Sequence, residues 1–371
     1  MEEKMKKSAI IISLFLILLL VVSGCSQKPA DDEKLKVVVI INTNLGDKAF
    51  SDLVWGGVTR AAEDFNLEIR AIELGGDPTR QEPTLSEVSE SGEWDLVISG
   101  TFNLLQATAA AAREYPEQKF VVYDAALDFS AYSYPNAVSI LSKQNEGSYL
   151  AGVMAAKLTQ VQGNDKINPQ KIIGFVGGGE NAAINDFLIG YIAGAKSVDP
   201  EVKVLFSYVG NFTDSAKAKE LTLAQYDQGA DIVYAVAGSA SYGVYEASQL
   251  AKRYSIGVDQ DRALQFEAEG NLDQANHIVT SVVKHLDILI YNKIKEFVEG
   301  TIKYGEHQAA GIALNGMGLA KNKFYEQFVP ADIRAAVDEA EQKIISGAIV
   351  VPTAIGMSTE DVNEWKNKAS Q

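Results

Sequence analysis

The stretch VVVIINTNLGDKAFSDLVWGGVTRAAEDF, residues 37–65, decides the fold. Its first five residues are β-branched and apolar, as in a strand buried on both faces of a parallel sheet. After a turn rich in Asn and Gly, Val54, Val58 and Ala61 recur at the spacing of one helix face. The segment therefore predicts a buried parallel strand followed directly by a helix that covers the sheet.

The same strand-and-helix unit recurs along the chain. Further strands are predicted at 67–74, 95–99, 119–123, 171–176, 203–209, 231–236, 255–258 and 277–282, with helices between them and at 284–299 and 331–346. Strict alternation of strand and helix gives a parallel sheet with helices on both faces. Because the chain after residue 36 is longer than one core usually supports, we expect an α/β protein of two similar lobes.

The first 24 residues have the pattern of a secretory signal, with Lys4, Lys6 and Lys7 before an apolar run at 9–22. Val22-Ser-Gly-Cys25 resembles the bacterial lipobox, and Cys25 is the only cysteine of the chain. We therefore expect lipidation of Cys25, by acyl chains such as palmitate, after signal cleavage. An uncleaved anchor is the alternative. Residues 25–36 are polar and are expected to form a flexible tether between the membrane and the folded body.

Composition excludes several classes of partner and site. The formal net charge of −16 argues against nucleic acid and against anionic lipid. A single cysteine excludes disulfides and thiolate metal sites from the folded body. No GxxxxGK[ST], HExxH or GxSxG motif occurs, and the chain has three histidines. We therefore expect no metal, no cofactor and no enzymatic activity, with a nucleoside-processing enzyme as the less favoured alternative.

Ligands of open α/β sheets bind beyond the carboxyl ends of the strands, so the residues after each strand are the candidates. These residues lie at 42–50, 100–102, 124, 177–180, 210–212, 238–239, 259 and 284. They combine acids, Lys, glycines and Phe, which suits a neutral ligand with hydroxyls and a flat ring. Each residue also has a structural alternative: Asp47 as a helix cap, Asp124 and Asp259 as turn residues, and Phe50 and Phe212 as core.

Several of these segments match a known family in order along the chain. The matching motifs are Asp47-Lys-Ala-Phe50, Glu146-Gly-Ser-Tyr-Leu-Ala-Gly152, Ile173-Gly-Phe-Val-Gly-Gly178, Tyr208-Val-Gly-Asn-Phe-Thr-Asp214, Ile256-Gly-Val-Asp259 and Thr280-Ser-Val-Val-Lys284. In these motifs the chain resembles the basic membrane protein family of lipoproteins, which includes purine-nucleoside receptors of ABC importers. The resemblance implies a periplasmic-binding-protein fold of type I, with two Rossmann-like lobes and a hinge of three crossovers. We expect the protein to be a monomer. The expected lobes are 37–143 with 281–312, and 144–280 with 313–371.

The resemblance also implies a ligand site and transport partners. Phe50 and Phe212 would sandwich a purine base, and Asp124 would accept hydrogen bonds from its edge. Asp259, Lys284 and the backbone of Gly238 would hold the ribose hydroxyls. The expected partners are a permease and its ATPase, at the extracytoplasmic face of the cell membrane.

The chain departs from the nucleoside receptors on the base side of this site. Asp47, in the motif that contains Phe50, is a further candidate ligand residue. Asn42 replaces an Asp and Ser51 replaces an Asn. Because Asn both donates and accepts whereas an ionised Asp only accepts, the base preference is left open. The family also has a flavin-binding branch, so riboflavin remains an alternative ligand. A ligand-sensing lipoprotein remains an alternative function.

Overall fold

The computed structural model describes residues 34–370. The predicted signal peptide, Cys25 and most of the predicted tether lie outside the described residues.

Strands and helices alternate through most of the described chain. The strands are β1 (Lys36–Ile41), β2 (Glu68–Glu73), β3 (Leu96–Gly100), β4 (Phe120–Tyr123), β5 (Ala137–Ser142), β6 (Ile172–Gly177), β7 (Lys203–Tyr208), β8 (Ala230–Val236), β9 (Tyr254–Asp259), β10 (Ile278–Lys284), β11 (His307–Ala310) and β12 (Met317–Leu319). The helices are α1 (Phe50–Phe65), α2 (Gln81–Ser91), α3 (Thr101–Glu114), α4 (Gln144–Leu158), α5 (Ala182–Val198), α6 (Ser215–Asp227), α7 (Ser241–Ala251), α8 (Arg262–Ala268), α9 (Leu272–Ala275), α10 (Leu286–Val298), α11 (Lys323–Phe328), α12 (Ala331–Ile345) and α13 (Thr359–Ser370).

The strands form two separate sheets of six strands each, in the orders β11-β5-β4-β3-β1-β2 and β12-β10-β9-β8-β6-β7. In both sheets the first strand, β1 or β6, lies between two later ones, the arrangement of a doubly wound fold. Pairing is parallel except between β10 and β12. The predicted architecture of two α/β lobes with parallel sheets is confirmed.

The deciding strand, β1, is buried as its sequence predicts. Val37, Val38, Val39 and Ile40 have no exposed surface, because β1 lies between two neighbouring strands and helices cover both faces of the sheet. In the second lobe, α4 and α5 pack closely. A Cβ at residue 190 would lie 2.2 Å from the carbonyl oxygen of Asn145, so glycine is required there.

The chain passes between the two sheets where β5 leads to α4, where β10 leads to α10, and where β11 leads to β12. These are the crossovers of the predicted hinge. The predicted lobe boundary at 280/281 needs one correction. Residues 281–284 belong to β10 and pair with β9 and β12, so the second sheet holds them and the chain leaves it after Lys284.

Candidate functional site

The carboxyl end of β4 in the first lobe and that of β10 in the second come together at a buried ion pair. Lys284 Nζ donates to Asp124 Oδ1 at 2.7 Å, and the two side chains are 3% and 11% exposed. These residues are 160 positions apart in the sequence. Two of the candidates chosen because they follow a strand therefore do contact each other, one from each lobe.

Two aromatic rings lie close to the Lys284 ammonium. Phe50, the first residue of α1, has its ring centroid 5.3 Å from Nζ, and the Phe187 centroid is 5.5 Å away. Both distances lie within the range of cation–π attraction. Phe50 also lies 6.1 Å from the ring of Tyr123, the residue before Asp124. On the first-lobe side, the rings of Phe50 and Tyr123 therefore lie beside the Lys284–Asp124 ion pair.

Asp259 adds a second buried carboxylate at the end of β9. It is 8% exposed and has a left-handed backbone with φ of 67°. Burial raises the pKa of Asp259, while the positive charges of Lys284 and Arg262 oppose the rise. Asp124 and Asp47 raise the pKa of Asp259 further. The site thus holds more carboxylates than cations, which suits a ligand that donates hydrogen bonds from hydroxyls.

Phe212 follows β7 and is supported by two glycines. A Cβ at residue 178 would lie 2.3 Å from the Phe212 ring, and one at residue 238 would lie 3.3 Å from its Cβ. Ser239 Oγ and the amide of Ala240 both donate to the Phe212 carbonyl at 3.0 Å. Gly238 has a positive φ of 57°, which glycine adopts without the backbone strain that another residue would have in this turn after β8. Its expected contact with a ligand remains a prediction.

Asn42, Asp47 and Ser51 all make hydrogen bonds within the first lobe. The carboxylate of Asp47 accepts from the backbone amides at 49, 51 and 52, as its helix-capping alternative requires. Ser51 is 3% exposed and its hydroxyl lies 2.9 Å from that of Thr43. Asn42 Oδ1 accepts from Gln81 Nε2 at 2.9 Å, which leaves the Asn42 amide nitrogen as a donor.

Sequence reasoning missed Asp186 and Phe187, which lie in the first turns of α5 beyond the glycine-rich turn after β6. The Asp186 carboxylate accepts from Thr353 Oγ1 at 2.6 Å and from the Ala354 amide at 2.7 Å. Burial raises its pKa to about 6, although these hydrogen bonds oppose the rise. Inspecting the first two helical turns after each strand, and not only the connecting turn, would have found both residues.

Other features of the described chain lie away from this cleft. An open depression lined by residues 129–135 with Tyr304 and Gly305 lies on the first lobe and contains none of the candidate residues. No group of His, Cys, Asp and Glu in the described residues is arranged to hold a metal ion. Among those residues, no helix combines the length and apolarity needed to cross a membrane.

Two doubly wound lobes with convergent polar and aromatic side chains between them define a solute-binding protein. The chain belongs to the Bmp family, described as ABC transporter substrate-binding protein PnrA-like, whose model matches residues 34–354. The predicted family is confirmed. The family consists of transport components that are not enzymes, which also confirms the prediction of no enzymatic activity.

Similar proteins support this assignment. The chain is 30% identical over 369 residues to the ABC transporter nucleoside-binding protein BmpA of Lactococcus lactis, covering 94% of this chain and 100% of that protein. It is 27% identical to basic membrane protein A of Borreliella burgdorferi, covering 92% and 95%. A solute-binding protein of an ABC transporter from Aeropyrum pernix has a similar structure, with a TM-score of 0.77 and 26% identity over 90% of this chain and 98% of that one.

Proposed function

We propose that this chain is the lipid-anchored substrate-binding protein of an ABC importer, and that it binds a purine nucleoside between its lobes. The observation that carries the proposal is the buried Lys284–Asp124 pair, which joins the two strand-end surfaces beneath the ring of Phe50. A relative at 30% identity is described as nucleoside-binding, which supports the same ligand class.

The chemistry of the site matches the two halves of a nucleoside. The Phe rings at 50 and 212 offer flat apolar surfaces for a base, where stacking contributes about 0.5–1.5 kcal/mol beyond burial. Asp259 accepts and Lys284 donates, so the pair can hold adjacent ribose hydroxyls. A buried carboxylate without its hydroxyl partner stays desolvated, so the site should prefer ribose to deoxyribose.

Membrane attachment would be through Cys25. The lipobox-like residues 22–25 and the polar segment after them support this placement. Relatives from Pyrococcus abyssi and Pyrococcus furiosus, 28% and 27% identical, are described as lipoproteins. An anchored protein on the extracytoplasmic face would then meet the permease, whose ATPase lies on the other side of the membrane.

The proposed working cycle is hinge closure. The three crossovers allow the lobes to separate, ligand binds one lobe, and the second lobe closes over it. Closure brings Lys284 to Asp124, so the pair forms only when the cleft is shut. The permease would recognise this closed form.

Mass spectrometry of ligand released by denaturing the purified protein tests the ligand class directly. An unchanged purine nucleoside is the expected result, whereas a flavin or a free base would contradict the proposal.

Calorimetry with inosine and adenosine tests the site. Phe212→Ala and Asp259→Ala should each weaken binding at least tenfold, about 1.4 kcal/mol. Phe297→Ala is the matched control, because Phe297 is half-buried at the end of α10. Wild-type affinity in both site variants would refute the assignment.

A further inference from the structure

A second set of contacts joins the lobes beside the candidate site. On the first lobe it involves the turn that leads into α1 and its Phe50. On the second lobe it involves Gln260, Arg262 and Glu269, in and around α8. Gln260 Nε2 donates to the Ala49 carbonyl at 3.1 Å, and Arg262 Nη1 donates to the Lys48 carbonyl. Lys48 Nζ donates to Glu269 Oε1 at 2.9 Å.

The turn is held so that its backbone carbonyls face the other lobe. Its amides are satisfied within the first lobe, where Asp52 accepts from residues 46 and 48 and Asp47 accepts from residues 49, 51 and 52. Lys48 has a left-handed φ of 48°, which turns the chain at this point. The Lys48 carbonyl is thus left for Arg262, whereas the Ala49 carbonyl accepts from Gln260 and also from the Leu53 amide of α1 at 3.1 Å.

Arg262 is positioned to donate to the Lys48 carbonyl. It is 1% exposed, and Nε donates to the Val258 carbonyl at 3.1 Å while Nη1 also donates to Gln265 Oε1 at 2.8 Å. The Arg262 backbone amide donates to Ser281 Oγ at 3.1 Å. Among the described residues no carboxylate forms an ion pair with Arg262, so its hydrogen bonds go to neutral acceptors.

We propose that Arg262, with Gln260, is a positioning latch that holds the turn before Phe50 when the lobes close. This proposal rests on ligand binding between the lobes. Lys48 and Ala49 directly precede Phe50, so a donor that fixes their carbonyls also fixes where the Phe50 ring stands. Opening the cleft breaks the latch and releases that ring. Arg262 therefore couples closure to aromatic contact with the ligand, without contacting the ligand itself.

The latch should act on ligand release and not on capture. The contact to Lys48 forms only after closure, so Arg262→Met should leave the association rate constant unchanged. Hydrogen bonds to charged groups are among the stronger ones, and losing this one should speed dissociation about tenfold to a hundredfold. Arg262→Lys keeps a charge but cannot reach both acceptors, so an intermediate rate is expected. Lys48→Ala should change the dissociation rate less than about threefold, because the acceptor is backbone and its exposed ion pair contributes little.

Stopped-flow mixing with inosine measures the association rate constant, and displacement of bound inosine by excess adenosine measures the dissociation rate constant. Lys323→Met is the control. Lys323 is 59% exposed and pairs with Glu267 within the second lobe. Arg262 also supports its own lobe, so the melting temperature is measured for each variant. Faster release from Arg262→Met at wild-type association rate supports the latch. Wild-type release, or slower release because a buried charge was removed, overturns it.

Small-angle X-ray scattering separates failure of the latch from failure of the proposed function. If the wild-type protein binds neither nucleoside, the proposed function fails and the ligand-free profiles decide the latch. If the ligand-free wild type is closed, a larger radius of gyration for Arg262→Met supports the latch and an equal radius overturns it. An open ligand-free wild type overturns it as well, because the contact is then not formed.

Discussion

Replacing Lys284 by Met tests whether the buried ion pair belongs to ligand binding or only to folding. The change leaves Asp124, which is 11% exposed, without its ion-pair partner, and it removes a positive charge that lowers the pKa of the buried Asp259. Breaking a buried pair by removing one partner costs about 3–5 kcal/mol. Because the partners come from different lobes, this cost falls on the closed form, while an open cleft lets water solvate both acids.

The expected result is a nucleoside dissociation constant raised at least a hundredfold, since about 3 kcal/mol corresponds to a factor of more than 100. The melting temperature should change little. Lowering the pH should recover part of the affinity in Lys284→Met, because burial already raises the pKa of Asp259 and loss of the lysine removes a charge that opposes the rise. Protonation of Asp259 then removes its uncompensated negative charge.

Calorimetry at pH 7.5 and pH 5.5, with differential scanning calorimetry, measures both quantities. Lys293→Met is the matched control. Lys293 is also buried and pairs with Glu296 at 2.7 Å, but both residues lie in α10. Unchanged nucleoside affinity in Lys284→Met would refute the reasoning. The reasoning would also be refuted if Lys284→Met had a much lower melting temperature but lost no more nucleoside affinity than Lys293→Met.

Two further predictions concern Asp186 and Asn42. Burial raises the pKa of Asp186 from 3.8 to about 6. Between about pH 4 and pH 6 the folded state therefore keeps a proton that the unfolded state has lost, so the free energy of unfolding falls as the pH rises through this range. Asp186→Asn should remove this dependence, gaining up to about 3 kcal/mol over wild type between pH 4 and pH 7; urea unfolding with equal pH slopes in both proteins would contradict it. Asn42 presents its amide nitrogen because Gln81 donates to its oxygen, so the wild type should favour inosine, whose base has a carbonyl acceptor at its edge. Asn42→Asp can only accept and should shift the preference toward adenosine about tenfold; an unchanged ratio of the two affinities in calorimetry would count against a base contact.

Three physical causes explain why sequence reasoning missed helix α4 and strands β5, β11 and β12. Helix α4 is buried on nearly all sides, with Lys157 the exception among its residues, so its sequence has no polar face to reveal the helical period. Strands β11 and β12 have four and three residues, too few for an alternating pattern to stand out. Strand β5 follows β4 without a helix between them, so it breaks the alternation that identified the others.

The sequence by itself determined the two-lobe α/β class, the family, and the strand ends where polar and aromatic residues gather. It could do so because strand burial, helix periodicity and turn chemistry depend on neighbours a few positions apart. The pairing of Lys284 with Asp124 and the hydrogen bond from Arg262 to the turn before Phe50 came only with the tertiary structure. Both contacts join the two lobes, so they depend on how the three hinge crossovers place the sheets in space and not on any local pattern.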